Sequence, residues 1–334
     1  MHHQTIIADI QTKTQEILSN ALSSHNQVAL VDFPNHHNAG DSLIYLGEQE
    51  YLRRLGVTIG YVSDVARYDA AQLRHRVPLG PVLIQGGGSL GDTWLEIQEF
   101  REKVISDFHD RRVIQLAQSV HFRSHDRAKV AREVFEAHPD FTIMVRESKS
   151  AETAARLFPN TNVIYCPDLA YGIGLQSSRP PSLTSVGLLR GDLEQNHDTT
   201  TLSRFLDYSS DWDWEGIAKP LWSALRVPGF VARSLPSVSQ LLYPALELEY
   251  NSIAKTNRAQ AVRKLERGKI VVTDRLHAGI LGALLQKTVI LIDNNYGKLA
   301  AMYDDHLRKF PNVHYAGTPA RALELLQELN EMCQ

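Results

Sequence analysis

Residues 269–292 confine this chain to a parallel α/β sheet more tightly than any other stretch. Lys269-Ile270-Val271-Val272-Thr273 is a short, β-branched apolar run of the kind buried on both faces. Leu276, Ile280, Leu281, Leu284 and Leu285 then repeat at helical spacing, with Asp274 placed to cap the helix. Thr288 to Ile292 reads as a second buried strand, running into the polar turn Asp293-Asn294-Asn295. This β-turn-α-β unit leaves Arg275 and His277 at the carboxyl end of a strand, where a helix begins. Ligands of open α/β sheets bind at that edge, and a helix N-terminus adds N–H groups and positive potential. An arginine and a histidine there suit an anionic ligand that also needs a proton moved. The plainer alternative is an arginine that caps a carboxylate and a histidine packed under the helix.

The same alternation organises the rest of the chain. Strands are expected at 27–32, 58–62, 81–85, 113–117, 141–145 and 162–165, with helices at 5–22, 41–54, 64–76, 94–110, 126–137 and 148–157. Strand following helix in this order predicts a doubly wound parallel sheet. The turn-rich segment 176–182 reads as a linker, and Ser185–Leu189 opens a second α/β half. The expected domains are therefore 1–175 and 183–334, two Rossmann-like lobes facing each other across a cleft. Glycosyltransferases of the GT-B type share that arrangement, an analogy of fold that says little about function. Residues 207–250 break the pattern and hold every tryptophan but Trp94. They read as an irregular insertion or helical lid, with an ordinary buried insertion slightly favoured over a surface facing a membrane. A helix is expected from about Asn251.

Composition narrows the function classes. At 334 residues two domains are the prior, and a net charge of −3 gives no electrostatic case for nucleic-acid binding. Two cysteines, Cys166 and Cys333, build neither a disulfide framework nor a cysteine-rich zinc site. His36, His37, His121 and His125 lack any metal-ligand spacing, so no metal is expected. No run approaches the ~18 apolar residues of a membrane span and no signal region opens the chain, so a cytoplasmic protein is expected.

Four further strand ends carry candidate chemistry. In Asn38-Ala39-Gly40-Asp41-Ser42, Gly40 permits close backbone approach, Asp41 or Ser42 can cap the helix, and Asp41 can instead take a proton from a sugar hydroxyl. Gly86-Gly87-Gly88 exposes N–H groups able to line an anion or sugar site, in neither Rossmann nor Walker A spacing. Arg146, after the strand 141–145, can pair with a phosphate or carboxylate, or bridge to Glu147 or a helix carboxylate. Arg190 and Asp168 occupy comparable edges, with Asp168 equally readable as a turn cap.

Taken together, these blocks resemble the polysaccharide pyruvyl transferase family. The matching pieces are Asn38-Ala39-Gly40-Asp41, the glycines 86–88, Val145-Arg146-Glu147-Ser148, Pro167-Asp168 and above all Thr273-Asp274-Arg275-Leu276-His277. Asp293-Asn294-Asn295-Tyr296-Gly297-Lys298 looks like the block of the exopolysaccharide branch. The likeness spans roughly residues 30–310, with Ala278 a small departure where many relatives carry glycine.

The resemblance implies a GT-B-like enzyme without a redox cofactor. It would move pyruvate from phosphoenolpyruvate onto two hydroxyls of a sugar, forming a cyclic ketal and releasing phosphate. Phosphoenolpyruvate carries two anionic groups, so bidentate cations are needed, and its C3 must be protonated before a hydroxyl attacks C2. The resemblance assigns Arg275 to phosphoenolpyruvate, His277 to acid/base work or phosphate binding and Arg146 to a second anion clamp. Lys298, Asn295, Gly87, Gly88 and Arg190 follow as substrate-binding residues, and Asp41 as base for the acceptor hydroxyl. Exopolysaccharide relatives act on lipid-linked sugars, which would bring the chain to the inner face of the membrane through 207–250. Two rivals stay open: a GT-B glycosyltransferase with a nucleotide-sugar donor, and a non-catalytic protein of a polysaccharide-assembly complex.

Overall fold

The computed structural model describes residues 3–191, 197–212, 218–234, 241–293 and 297–332. Two parallel sheets carry the chain. The first contains β1 (Gln27–Val31), β2 (Thr58–Ser63), β3 (Val82–Ile84), β4 (Gly87–Gly91), β5 (Val113–His121), β6 (Phe141–Val145) and β7 (Asn162–Tyr165). Its spatial order is β2-β1-β3-β5-β6-β7, with β4 continuing alongside β5. The second contains β8 (Leu183–Leu188), β9 (Tyr208–Ser210), β10 (Gly268–Thr273), β11 (Thr288–Ile292) and β12 (Val313–Gly317), in the order β12-β11-β10-β8-β9. Strands such as β6 and β10 are buried almost throughout, as continuous apolar runs between helical layers must be.

Each sheet reverses its winding once. From β1 the chain goes to β2 on one side and later to β3 on the other; from β8 it goes to β9 on one side and to β10 on the other. At such a switch point neighbouring loops diverge and open a crevice beyond the carboxyl ends of the strands. In the first sheet this crevice is bordered by 32–38 and 85–89, in the second by 189–191 and 274–277.

The long helix Tyr243–Leu265 joins the two sheets, because it packs on the helix Ala39–Arg54 of the first. Gln49 donates to Asn251 Oδ1 at 2.7 Å, and Asn257 donates to Ser42 Oγ at 2.8 Å. This helix begins eight residues before the expected Asn251. Pro244 sits in its first turn, where a missing N–H costs nothing, and the flanking apolar residues face more than one neighbour and show no clean period.

The insertion 207–250 also contains β9 and the helices Ala218–Leu225 and Val227–Ser234. Trp212 and Trp222 are buried, whereas Leu221, Val227, Phe230, Leu241 and Leu248 are exposed. No described helix is long and apolar enough to cross a membrane.

Candidate functional site

A cavity of about 730 Å³ lies where the two crevices meet, lined from the first sheet by Asp32, Asp41, Gln85, Gly88 and Arg146, and from the second by Arg190, Asp211, Arg275 and His277. Local structure sets each of these side chains. Thr273 Oγ1 donates to Leu188 O at 2.6 Å and accepts the Arg275 N–H at 3.0 Å, which pins the turn after β10 to the end of β8. Asp274 does not cap the helix Leu276–Leu284, contrary to expectation: Arg275 holds the N-cap position without a side-chain bond. The Asp274 carboxylate instead accepts the Arg190 N–H at 2.9 Å, tying the two strand ends together, and burial raises its carboxyl to about 6.

His277 comes to rest on the first sheet's side. Its Nε2 lies 3.3 Å from Asp168 Oδ2 and 3.4 Å from Arg146 Nη1. With its proton on Nε2 the imidazole donates to Asp168, and with its proton on Nδ1 the same nitrogen accepts from Arg146. Arg146 is only 3% exposed and donates to Asp168 Oδ2 at 2.8 Å and to Ser119 Oγ at 2.9 Å, with Glu147 at 3.7 Å. Its Nη2 has no hydrogen-bond partner among the described residues, which leaves one edge of the guanidinium for a ligand. Asp168, 1% exposed, also accepts the Ala170 N–H at 2.8 Å. Burial pushes the Asp168 carboxyl up, but the charges of His277 and Arg146 and the bonds from His277 and Ala170 outweigh it and hold it well below the usual range. The turn-capping role expected of Asp168 is therefore half of its work. The other half is to orient His277 and Arg146, a role with no local sequence signal beyond the Pro167-Asp168 block, because its partners lie 22 and 109 positions away.

Gly40 makes the approach of His277 possible. A Cβ at Gly40 would fall 2.6 Å from His277 Nδ1, so only glycine lets the imidazole lie on the start of the helix Ala39–Arg54. Gly40→Ala is expected to keep its fold and to lose roughly 10- to 100-fold in turnover, because the ring must shift by a fraction of an ångström or more. Steady-state kinetics beside a thermal melt check this.

Other expected residues stand differently. Asp41 is not the cap of its helix: Asn38 Oδ1 accepts the Gly40 N–H at 3.0 Å, while Asn38 Nδ2 donates to Asp41 Oδ2 at 2.9 Å. That leaves Asp41 on the cavity wall, 3.5 Å from His36. The triple glycine runs into a strand and one of its N–H groups is already taken. Gly87 starts β4, and the N–H groups of Gly86, Ser89 and Gly91 donate to Glu48, Gln118 and Gln98. Gly88 lines the cavity, and Gly87 lies beside it in the strand.

Arg275, 7% exposed, pairs with Asp211 of the insertion: Nη2 donates to Oδ2 at 2.6 Å, and Nε lies 2.5 Å from Oδ1 without the alignment of a hydrogen bond. Lys298 begins the helix Lys298–Asp305, but its side chain lies outside the described residues, as does all of Asn295. Among the described residues no group of three His, Cys, Asp or Glu side chains is placed to hold a metal.

Two parallel sheets open their switch points onto one cavity, which is walled by buried cations and by an imidazole beside a carboxylate, and together they define an α/β protein of the doubly wound class. The model of the family described as polysaccharide pyruvyl transferase matches residues 38–296, and the chain belongs to that family and is a transferase. It is 28% identical over 302 residues to the putative pyruvyl transferase EpsO of Bacillus subtilis, covering 89% of this chain and 90% of that one. It is 28% identical over 329 residues to pyruvyl transferase 1 of Schizosaccharomyces pombe, covering 91% and 76%. General stress protein 30 of B. subtilis is 24% identical over 302 residues, covering 88% and 82%. In fold, the chain is similar to a functionally uncharacterised crystal structure from Klebsiella pneumoniae, with a TM-score of 0.60 at 22% identity over 92% of this chain and 98% of that one.

Proposed function

We propose that the chain is a ketal pyruvyltransferase that moves pyruvate from phosphoenolpyruvate onto two hydroxyls of a sugar in the synthesis of an exopolysaccharide or cell-surface glycan. The observation that carries this reading is the cluster Arg146–Asp168–His277, assembled from both sheets, with Arg146, His277 and Arg275 lining the same cavity. Phosphoenolpyruvate is small and doubly charged, and its two anionic groups match two arginines presented from separate strand ends. The two lobes act in the manner of GT-B enzymes, with the acceptor on the side of the first and the donor held by the second together with Arg146 of the first.

In this mechanism the free edge of Arg146 and the guanidinium of Arg275 hold the donor. Asp211 already occupies Arg275, so the incoming anion takes the place of that carboxylate. His277, its Nε2–H held by Asp168, delivers the proton of Nδ1 to C3, making C2 oxocarbenium-like. A sugar hydroxyl adds to C2, a second replaces phosphate, and Asp41 accepts one of their protons. Asp168 plays the part of the buried carboxylate that orients a histidine and stabilises its charged form.

Comparing donors tests this directly. With a diol-bearing glycan, phosphate release from phosphoenolpyruvate and no nucleoside diphosphate from any nucleotide sugar is the expected result; the opposite pattern makes the chain a glycosyltransferase.

A further inference from the structure

We propose that Asp32 is a catalytic residue for the acceptor: from the switch point of the first sheet, it takes the proton of one of the two attacking hydroxyls. This rests on the pyruvyl-transfer reading above and deepens it.

Asp32 directly follows β1 and lines the cavity. Its backbone sits at φ +70, a left-handed conformation that aspartate accepts more readily than most residues and that turns the chain away from the strand direction. The side chain is held from one side only. Arg101, 2% exposed on the helix Leu95–Asp107, donates from Nη2 to Asp32 Oδ2 at 3.1 Å and is itself fixed by Ser89, through O and Oγ, both at 2.8 Å. Asp32 Oδ1 carries no hydrogen bond among the described residues. Asp64, a further carboxylate nearby, differs: it is occupied by Arg67 and by the Asn35 amide. A buried ion pair adds little to stability compared with apolar packing, so a paired charge on a cavity wall points to use and not to support.

Proton bookkeeping asks for such a group. Phosphoenolpyruvate and a diol give the ketal and hydrogen phosphate, so two hydroxyl protons leave while C3 and phosphate each gain one. The first hydroxyl oxygen bonds to C2 as His277 protonates C3, and its proton passes to Asp32. Solvent in the cavity then returns that proton to His277. The second hydroxyl bonds to C2 as the bond from C2 to the phosphate oxygen breaks, and the electron pair leaves with phosphate. Its proton reaches phosphate by way of Asp41. Two hydroxyls thus meet two carboxylates on one wall.

Burial raises the Asp32 carboxyl to about 6, against the pull of Arg101 and with help from Asp41 on the helix Ala39–Arg54 and Asp64 after β2. A base of that kind is charged above pH 6 and ready to be protonated.

The test compares the full chain with Asp32→Asn and Asp32→Gly, since both residue types accept the left-handed backbone. Phosphoenolpyruvate affinity is expected to stay within about two-fold, while turnover falls about 100-fold or more and the drop in rate below about pH 6 disappears. Formate is expected to restore part of the Asp32→Gly rate. Turnover within about three-fold of wild type overturns the role, as does a parallel loss of phosphoenolpyruvate binding, which marks a structural residue. If neither variant folds, a wild-type profile without an acid limb near pH 6 overturns it. A wild-type chain that releases no phosphate from phosphoenolpyruvate overturns the pyruvyl-transfer reading itself; a wild-type chain that does, beside an equally active Asp32→Asn, overturns only Asp32.

Discussion

His277→Ala is expected to lower turnover by roughly two to four orders of magnitude while leaving phosphoenolpyruvate bound, the range general acid catalysis supplies. The separation of the two effects follows from the placement of the charges. Anion binding is assigned to Arg146 and Arg275, whose guanidinium groups are held by Ser119, Asp168 and Asp211 and do not depend on the imidazole. Proton delivery is assigned to the imidazole alone. Calorimetry for binding and phosphate release for turnover separate the two; unchanged turnover removes His277 from the chemistry.

Asp168→Ala is expected to destabilise the fold by about 3–5 kcal/mol at pH 7, the cost of leaving a buried charge without its partner. Arg146 would keep only Glu147, at 3.7 Å, as a counter-charge. The pH dependence has a definite sign. The folded carboxyl sits below its ordinary range, so its contribution is fully present above the unfolded value of ~3.9 and is lost as pH falls through the folded one. Denaturant melts should therefore show a gap between wild type and variant that is level from neutrality down to about pH 5 and closes in stronger acid. A gap below about 1 kcal/mol at neutral pH, or one that widens with acid, contradicts this placement of Asp168.

Much of this architecture is written locally. Phe141–Val145 and Thr288–Ile292 fall where their apolar runs place them, because a strand buried on both faces needs no partner to be recognised, and Asn162–Tyr165 and the helix Ser148–Leu157 fall at their expected bounds too. Gly87–Gly91 carries no strand pattern, since glycine has little strand preference; it is a strand because β5 runs long enough to pair with it. The three-residue β9 is held by β8 and has no pattern of its own.

The site divides the same way. Strand-end cations and His277 are legible because the edge of a parallel sheet is a known place for ligands. Their counter-charges are not. Asp211 meets Arg275 across 64 positions and Arg101 meets Asp32 across 69, and a lone arginine in a helix reads as a solvated face until the fold closes around it.

The most direct test is to run the reaction in heavy water with phosphoenolpyruvate and a diol-bearing glycan, then to examine the product by mass spectrometry and proton NMR. The account predicts a pyruvate ketal whose methyl group carries a single deuterium, formed together with an equal amount of phosphate. A ketal with an unlabelled methyl group would remove the protonation step assigned to His277, and a glycan unchanged by phosphoenolpyruvate would contradict the account as a whole.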